Sequence, residues 1–229
     1  MNEEKDSSRA IPVTVIDYKA GNLTSVVKAL RHLGAEVTVT DVPEALATAE
    51  RIVLPGVGHF AATRRLDETG LTRAILSAIS IGVPFLGICV GMQWLLTGST
   101  EAPDQPGLGY FQGKCDRFPE DSRNAENEKV PHVGWNRIVP RSDPPTRLFH
   151  GVDDNEFVYF THSYRVPTTL HVRDETGSLE NPTAAITNYI QPFAAAVEHE
   201  NVFGVQFHPE KSGTTGLKIL NNFLEFKTC

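Results

Sequence analysis

Between residues 11 and 98 the chain alternates short, nearly continuous apolar runs with longer stretches in which apolar positions recur every three or four residues. Val13 to Asp17 reads as a buried strand. After Gly21-Asn22, the positions Leu23, Val26, Val27, Leu30 and Leu33 fall on one helical face, and Gly34 supplies a left-handed stop. Glu36 to Thr40 and Arg51 to Leu54 read as two more strands around a short helix near Pro43 to Ala49, with Asp41 as its expected cap and Pro43 in its first turn. A helix is expected over Thr72 to Ser80, a central strand over Val83 to Ile88, and a helix over Val90 to Leu96. This alternation predicts an α/β fold whose central, mostly parallel sheet is flanked by helices.

The pattern changes after residue 98. Pro103, Pro106, Gly107, Gly109 and the charged stretch Glu120 to Lys129 predict a long surface excursion. Trp135 to Val139, Phe157 to Phe160, Ala184 to Asn188, Ala194 to Glu198 and Val202 to Phe207 then predict strands of a smaller antiparallel or mixed sheet region. Helical spacing returns at Leu217, Leu220 and Leu224, within Thr215 to Phe226. Residues 1–10 are polar and charged and are expected to be a flexible tail, leaving 11–229 as one domain.

Composition narrows the function classes. With 40% hydrophobic and 21% charged residues, the 229-residue chain has an ordinary globular make-up, which excludes disorder, collagen-like repeats and coiled coil. A formal net charge of −7 argues against a nucleic-acid surface, because phosphate binding needs clustered Lys and Arg. Neither a membrane span nor a leader peptide is expected. Cys89, Cys115 and Cys229 are widely spaced and lack C-x-x-C pairing, so the expectation is no disulfide framework, no metal and a reducing cytoplasm.

One local pattern carries chemistry. Gly87-Ile88-Cys89-Val90-Gly91 lies where a buried strand meets a helix. A tight strand-to-helix turn projects its central side chain clear of the sheet, and the helix start favours thiolate over thiol. An arbitrary cysteine is more often a small buried apolar residue. The two glycines and the junction make Cys89 a candidate nucleophile instead. A thiolate needs a base and a group to orient it. His208 ends the apolar run Val202 to Phe207 and has Glu210 two positions on; proline at 209 pushes it towards extended backbone, where i and i+2 share a side. Acyl transfer also needs oxyanion donors, and the backbone N–H of Val90 and the Pro55-Gly56-Val57-Gly58 loop, at Val57 and Gly58, are candidates.

Three motifs, Pro55-Gly56-Val57-Gly58, Gly87-Ile88-Cys89-Val90-Gly91-Met92-Gln93 and Val205-Gln206-Phe207-His208-Pro209-Glu210, follow the order and spacing of the class I (triad-type) glutamine amidotransferases, which the chain resembles from about residue 12 to 227. Within that family it is most similar to the glutaminase subunits of imidazole glycerol phosphate synthases. Asp17-Tyr18-Lys19-Ala20-Gly21-Asn22-Leu23, Gly107-Leu108-Gly109 with Arg117-Phe118, Pro131-His132-Val133-Gly134-Trp135-Asn136 and Tyr159-Phe160-Thr161-His162-Ser163-Tyr164 carry that likeness. Lys19-Ala20 departs from the more usual glycine-led pair, and residues 120–129 and 168–182 are longer or more variable than typical.

The resemblance implies hydrolysis of L-glutamine to glutamate and ammonia by Cys89, His208 and Glu210, without a cofactor. It implies that Gly56, Gly58, Gln93, Ser163 and Tyr164 hold the substrate. It further implies a heterodimer in which ammonia passes to a (β/α)8 cyclase subunit, facing Asn22, Trp135, Asn136 and Lys211 and acting in histidine biosynthesis. Three other readings fit the residues less well. A glutaminase of guanylate, anthranilate or pyridoxal phosphate synthesis leaves the Asp17 to Leu23 and Pro131 to Asn136 blocks unexplained. A catalytically silent docking module would usually have lost the cysteine or histidine, and an esterase or peptidase would leave the glutamine-site blocks without a purpose.

Overall fold

A computed structural model describes residues 10–20, 23–119, 128–173 and 176–227. The first strand, β1 (Ile11–Ile16), leads into helix α1 (Leu23–His32), whose Val26, Val27 and Leu30 are buried, and then into β2 (Ala35–Thr40). A 3₁₀ turn over Pro43–Thr48 precedes β3 (Ile52–Gly56). A second, Phe60–Thr63, precedes helices α2 (Arg64–Glu68) and α3 (Leu71–Ser80). Next come β4 (Phe85–Cys89) and the short helix α4 (Val90–Trp94).

The second half begins with β5 (Leu96–Ser99), β6 (Phe111–Arg117), β7 (His132–Arg137) and β8 (Val139–Pro140). β9 (Phe157–His162), β10 (Tyr164–Arg165), β11 (Val172–Arg173) and β12 (Leu179–Glu180) follow. β13 (Thr183–Tyr189), β14 (Gln191–His199) and β15 (Val202–Val205) precede a 3₁₀ turn at Pro209–Lys211 and the closing helix α5 (Gly213–Glu225).

Eight strands form one sheet in the order β2-β1-β3-β4-β15-β14-β13-β8. The first five run parallel, and every residue of β3, β4 and β15 is buried, as expected for strands covered on both faces. The antiparallel strands β14, β13 and β8 continue this sheet rather than forming a separate region, because β15 pairs with β4 on one side and β14 on the other. What does stand apart is the three-stranded sheet β10-β6-β5, the small β11-β12 pair and the antiparallel β7-β9 pair.

Three local expectations need correction. The helix after Cys89 stops at Trp94, because the carbonyls of Trp94, Leu95 and Leu96 accept the amides of Leu108, Phe111 and Gly109 instead of continuing the helical ladder. The same contacts draw residues 105–119 inward: Phe111, Cys115 and Phe118 are buried, so this part is no surface excursion, while 120–127 lie outside the described residues. Asp41 does not cap the Pro43 turn; the preceding residue there is Val42, with no side-chain cap, and Asp41 pairs with Lys19 Nζ at 3.3 Å. Residues 1–9 of the expected tail also fall outside the described residues.

Register fixes where chemistry can occur. Gly56 pairs with Cys89 and Val205 with Ile88, so β3, β4 and β15 all deliver their C-terminal ends to one place. In parallel α/β sheets that end is where ligands bind.

Candidate active site

Cys89 closes β4 with φ 54° and ψ −109°, a left-handed conformation that costs an L-residue about 1–3 kcal/mol. The turn is tight enough to need both flanking glycines. A Cβ at Gly87 would stand 2.5 Å from the Gly91 carbonyl oxygen, and one at Gly91 would collide with the carbonyl oxygen of Leu54. The glycines therefore serve close backbone packing of β3 and β4 against α4. That helix is only five residues long, and a side chain bonded to the thiol is that of Gln206, whose Nε2 donates to Sγ at 3.6 Å.

His208 reaches the site by leaving the sheet. After Val205 the chain crosses to β9, where the His208 amide donates to the Tyr159 carbonyl at 2.9 Å. Ser212 staples the crossing: its hydroxyl accepts from the Tyr159 amide at 2.9 Å and donates to the His208 carbonyl at 2.6 Å. Nδ1 of His208 lies 2.9 Å from Glu210 Oε1, both side chains 1% exposed. The carboxylate gets there through the Pro209–Lys211 turn, not through the i, i+2 alternation of an extended chain. Burial alone would lower the imidazole pKa, but the nearby Cys89 sulfur and the hydrogen-bonded Glu210 carboxylate outweigh it and push it up to about 9. By strict hydrogen-bond geometry Nε2 has no partner among the described residues, although the thiol is near enough to act on its proton affinity. Nε2 is thus the ring nitrogen left for the reacting atoms.

Cys89, Val90 and His208 line a cavity of about 260 Å³ together with Val57, Gly58, Gln93, Glu101, Pro131, Thr161, His162, Ser163 and Tyr164. Gly58 has φ +92°, which the loop after β3 requires. Gly56 is not on the wall; it lies beneath, where a Cβ would stand 2.5 Å from the Tyr18 hydroxyl and 2.8 Å from Val90 Cβ. Among the described residues that buried hydroxyl has no hydrogen-bond partner, and burial, with the charge of Cys89 adding to it, holds its pKa far above the ordinary phenol value. Gln93 Nε2 donates to the Tyr164 carbonyl at 3.2 Å and to Gln206 Oε1 at 3.0 Å. The expected residues Trp135, Asn136 and Lys211 are not on the cavity. Trp135, 55% exposed, packs edge-on to Tyr159, and Lys211 Nζ lies 5.8 Å from the same ring, so these make one outer surface. Asn22 lies outside the described residues.

Several groups at the site have no counterpart in the sequence reading. Gln206 follows directly on β15, and its amide lies between Cys89 Sγ and Gln93. Glu101 arrives because its Oε2 accepts the Phe60 amide at 2.8 Å across the cavity rim. His162 and its neighbour His132 are buried, and their pKa values are lowered to about 4 and about 3, chiefly by desolvation. Among the described residues no group of three or more His, Cys, Asp or Glu could hold a metal ion, and no helix is long and apolar enough to cross a membrane.

Residues 14–226 match the family described as Glutamine amidotransferase class-I. A protein named imidazole glycerol phosphate synthase subunit HisH from Methanosarcina acetivorans is 45% identical over 215 residues, covering 93% of this chain and 98% of its own. One of the same name from Geobacter sulfurreducens is 45% identical over 217 residues, covering 94% and 99%. Among solved structures, one titled as a glutamine amidotransferase superposes with a TM-score of 0.66 at 18% identity over 93% of this chain and 97% of its own. The structure of PurLQS from Thermotoga maritima superposes with 0.65 at 19% identity, over 94% and 98%. At that identity the structures speak for the fold alone.

Proposed function

The chain belongs to the class I glutamine amidotransferases, and from that premise we propose that it is the glutaminase subunit of imidazole glycerol phosphate synthase, acting in histidine biosynthesis in the cytoplasm. The observation that carries the reading is the His208–Glu210 pair beside a cysteine held on a strained strand-to-helix turn. The Cys89 sulfur attacks the side-chain carboxamide carbon of L-glutamine. Backbone N–H groups of Val90 and of the Val57–Gly58 loop receive the oxyanion. The imidazolium of His208 gives its proton from Nε2 to the departing amine, which leaves as ammonia and a thioester remains. His208 then takes a proton from water, whose oxygen attacks the thioester and releases glutamate and the thiolate. Glu210 holds Nδ1–H throughout and balances the imidazolium charge.

The cavity suits one amino acid: about 260 Å³ lies below the roughly 300–1,000 Å³ of drug-sized pockets, which speaks against a peptide groove. Glu101, a carboxylate on the wall, would receive the α-ammonium of glutamine, and the backbone at Ser163 and Tyr164 with Gln93 would hold the remainder. No cofactor is needed for any of these steps. The partner would be the (β/α)8 cyclase subunit in a heterodimer, seated on the surface of Trp135, Asn136 and Lys211 and taking the ammonia directly. The deciding measurement is glutamate formation with and without the cyclase and its nucleotide ligand. Stimulation that vanishes in Cys89→Ala supports the reading; undiminished turnover in that variant removes the nucleophile.

A further inference from the structure

His162, on the cavity wall beside Tyr164, and His132 behind it are two buried histidines in a hydrogen-bonded chain that the triad mechanism does not use. His162 Nδ1 lies 2.8 Å from the Tyr164 carbonyl, and His162 Nε2 lies 3.0 Å from His132 Nδ1. Asn136 Nδ2 lies 3.3 Å from His132 Nε2. Both ends of this chain have fixed polarity. A carbonyl only accepts, so His162 Nδ1 carries hydrogen. At the far end the Asn136 amide is pinned from two sides: its Oδ1 accepts the Arg137 amide at 2.7 Å, and its Nδ2 donates to the Asn188 carbonyl at 3.0 Å. Turning the amide over would lose both, so a donor faces His132 Nε2.

Between a fixed acceptor and a fixed donor, only one arrangement satisfies every atom. Each ring carries its hydrogen on Nδ1 and accepts at Nε2. An extra proton on His162 would place two N–H groups head to head across 3.0 Å, unless His132 moved its own proton onto Nε2 against the Asn136 amide. Desolvation acts in the same direction, lowering both pKa values. Aromatic contacts hold the rings in place: His132 stacks on Tyr189 at 3.8 Å and on Phe160 at 4.7 Å.

We propose that His162 and His132 are positioning residues for glutamine, a neutral one-directional relay that fixes the Tyr164 carbonyl in the cavity wall. That carbonyl also accepts from Gln93, so the relay sets one side of the substrate site without touching the reacting atoms. The inference deepens the glutaminase reading and rests on it.

The test uses the full chain in complex with the cyclase. Nitrogen-15 NMR of the imidazoles at neutral pH should find hydrogen on Nδ1 and none on Nε2 for both histidines; hydrogen on Nε2 of either overturns the relay. His132→Asn puts an amide nitrogen where Nδ1 stood and keeps the donor to His162, whereas His132→Phe keeps only the aromatic stack. The Phe variant should raise the KM for glutamine about ten-fold, the scale of one hydrogen bond, with kcat within about two-fold. The Asn variant should stay within about three-fold of the parent in KM, again a fraction of one bond. Equal KM values in the Phe variant and the parent, or equal losses in both variants, would overturn the proposal. Cys89 labelling by a glutamine-analogue electrophile separates the two readings: a parent protein that is never labelled sinks the glutaminase assignment, while the tautomer measurement still decides the relay.

Discussion

Two histidines line one cavity and carry opposite protonation. His208, on the wall built from the end of β15, is pushed up to about 9; His162, on the wall built from β9, is pulled down to about 4. Desolvation opposes the charge on both. The difference lies in what each ring faces. His208 has a carboxylate at 2.9 Å and a thiol nearby, both of which gain from a cation. His162 faces a carbonyl and a second imidazole, and the charge of His208 itself disfavours another proton there. Burial thus makes protonation depend on the first partner, and one wall becomes an acid–base device while the other becomes a rigid support.

The comparison can be broken most forcefully at the sulfur. Cys89→Ala should lower glutamine turnover in the cyclase complex by about 10⁴-fold, as removal of a nucleophile does, and NMR titration should find the His208 pKa moved down. Glu210→Gln should cost on the order of 10²-fold or more in kcat and also bring His208 down towards its ordinary 6.5. A His208 that stayed near 9 there would mean that the carboxylate is not what distinguishes the two walls. On the outer side of β7, Trp135→Ala should weaken cyclase binding about 30-fold, the scale of one aromatic anchor, while the melting temperature stays unchanged because the ring is largely exposed.

The smallest effect is a change of slope in stability against pH. The raised His208 pKa contributes stability that is complete below about 6.5 and disappears as pH climbs through about 9. The lowered values of His162 and His132 contribute stability that is complete above about 6.5 and disappears as pH falls through about 4 and about 3. These three groups alone therefore place the optimum near 6.5, with limbs no steeper than about 1.4 kcal/mol per pH unit for each proton. Urea midpoints measured from acid to alkaline pH should show His208→Gln flattening the alkaline limb and sparing the acid one.

Legibility in the sequence followed the range of the interaction. The strand-to-helix turn at Cys89 was readable because both glycines and the junction lie within five residues, and the parallel half was readable because apolar runs and helical spacing are local. The His132–His162 contact was not. It exists only because β7 pairs with β9 so that these two residues stand opposite, and nothing in either run states that register. Helix α4 is shorter than its local pattern predicts for a similar reason: the segment that takes the carbonyls at its end comes from residues 108–111. Asp41 is a good cap by type, but Lys19, with φ 64° and its Nζ 2.7 Å from Asp17, also draws on its carboxylate. Extended backbone would also set Glu210 on the side of the ring, but a 3₁₀ turn is what brings it to the imidazole.

The Ser212 staple has a bearing on redesign. Through one hydroxyl and two amides, the peptide that carries the proton-transfer ring is sewn to Tyr159, and the ring of Tyr159 forms part of the outer surface with Trp135 and Lys211. A library built to fit this face to a foreign subunit could vary Trp135 and Lys211 freely. Altering the backbone course at Tyr159, or deleting the serine oxygen, would loosen the reaction chemistry along with the fit.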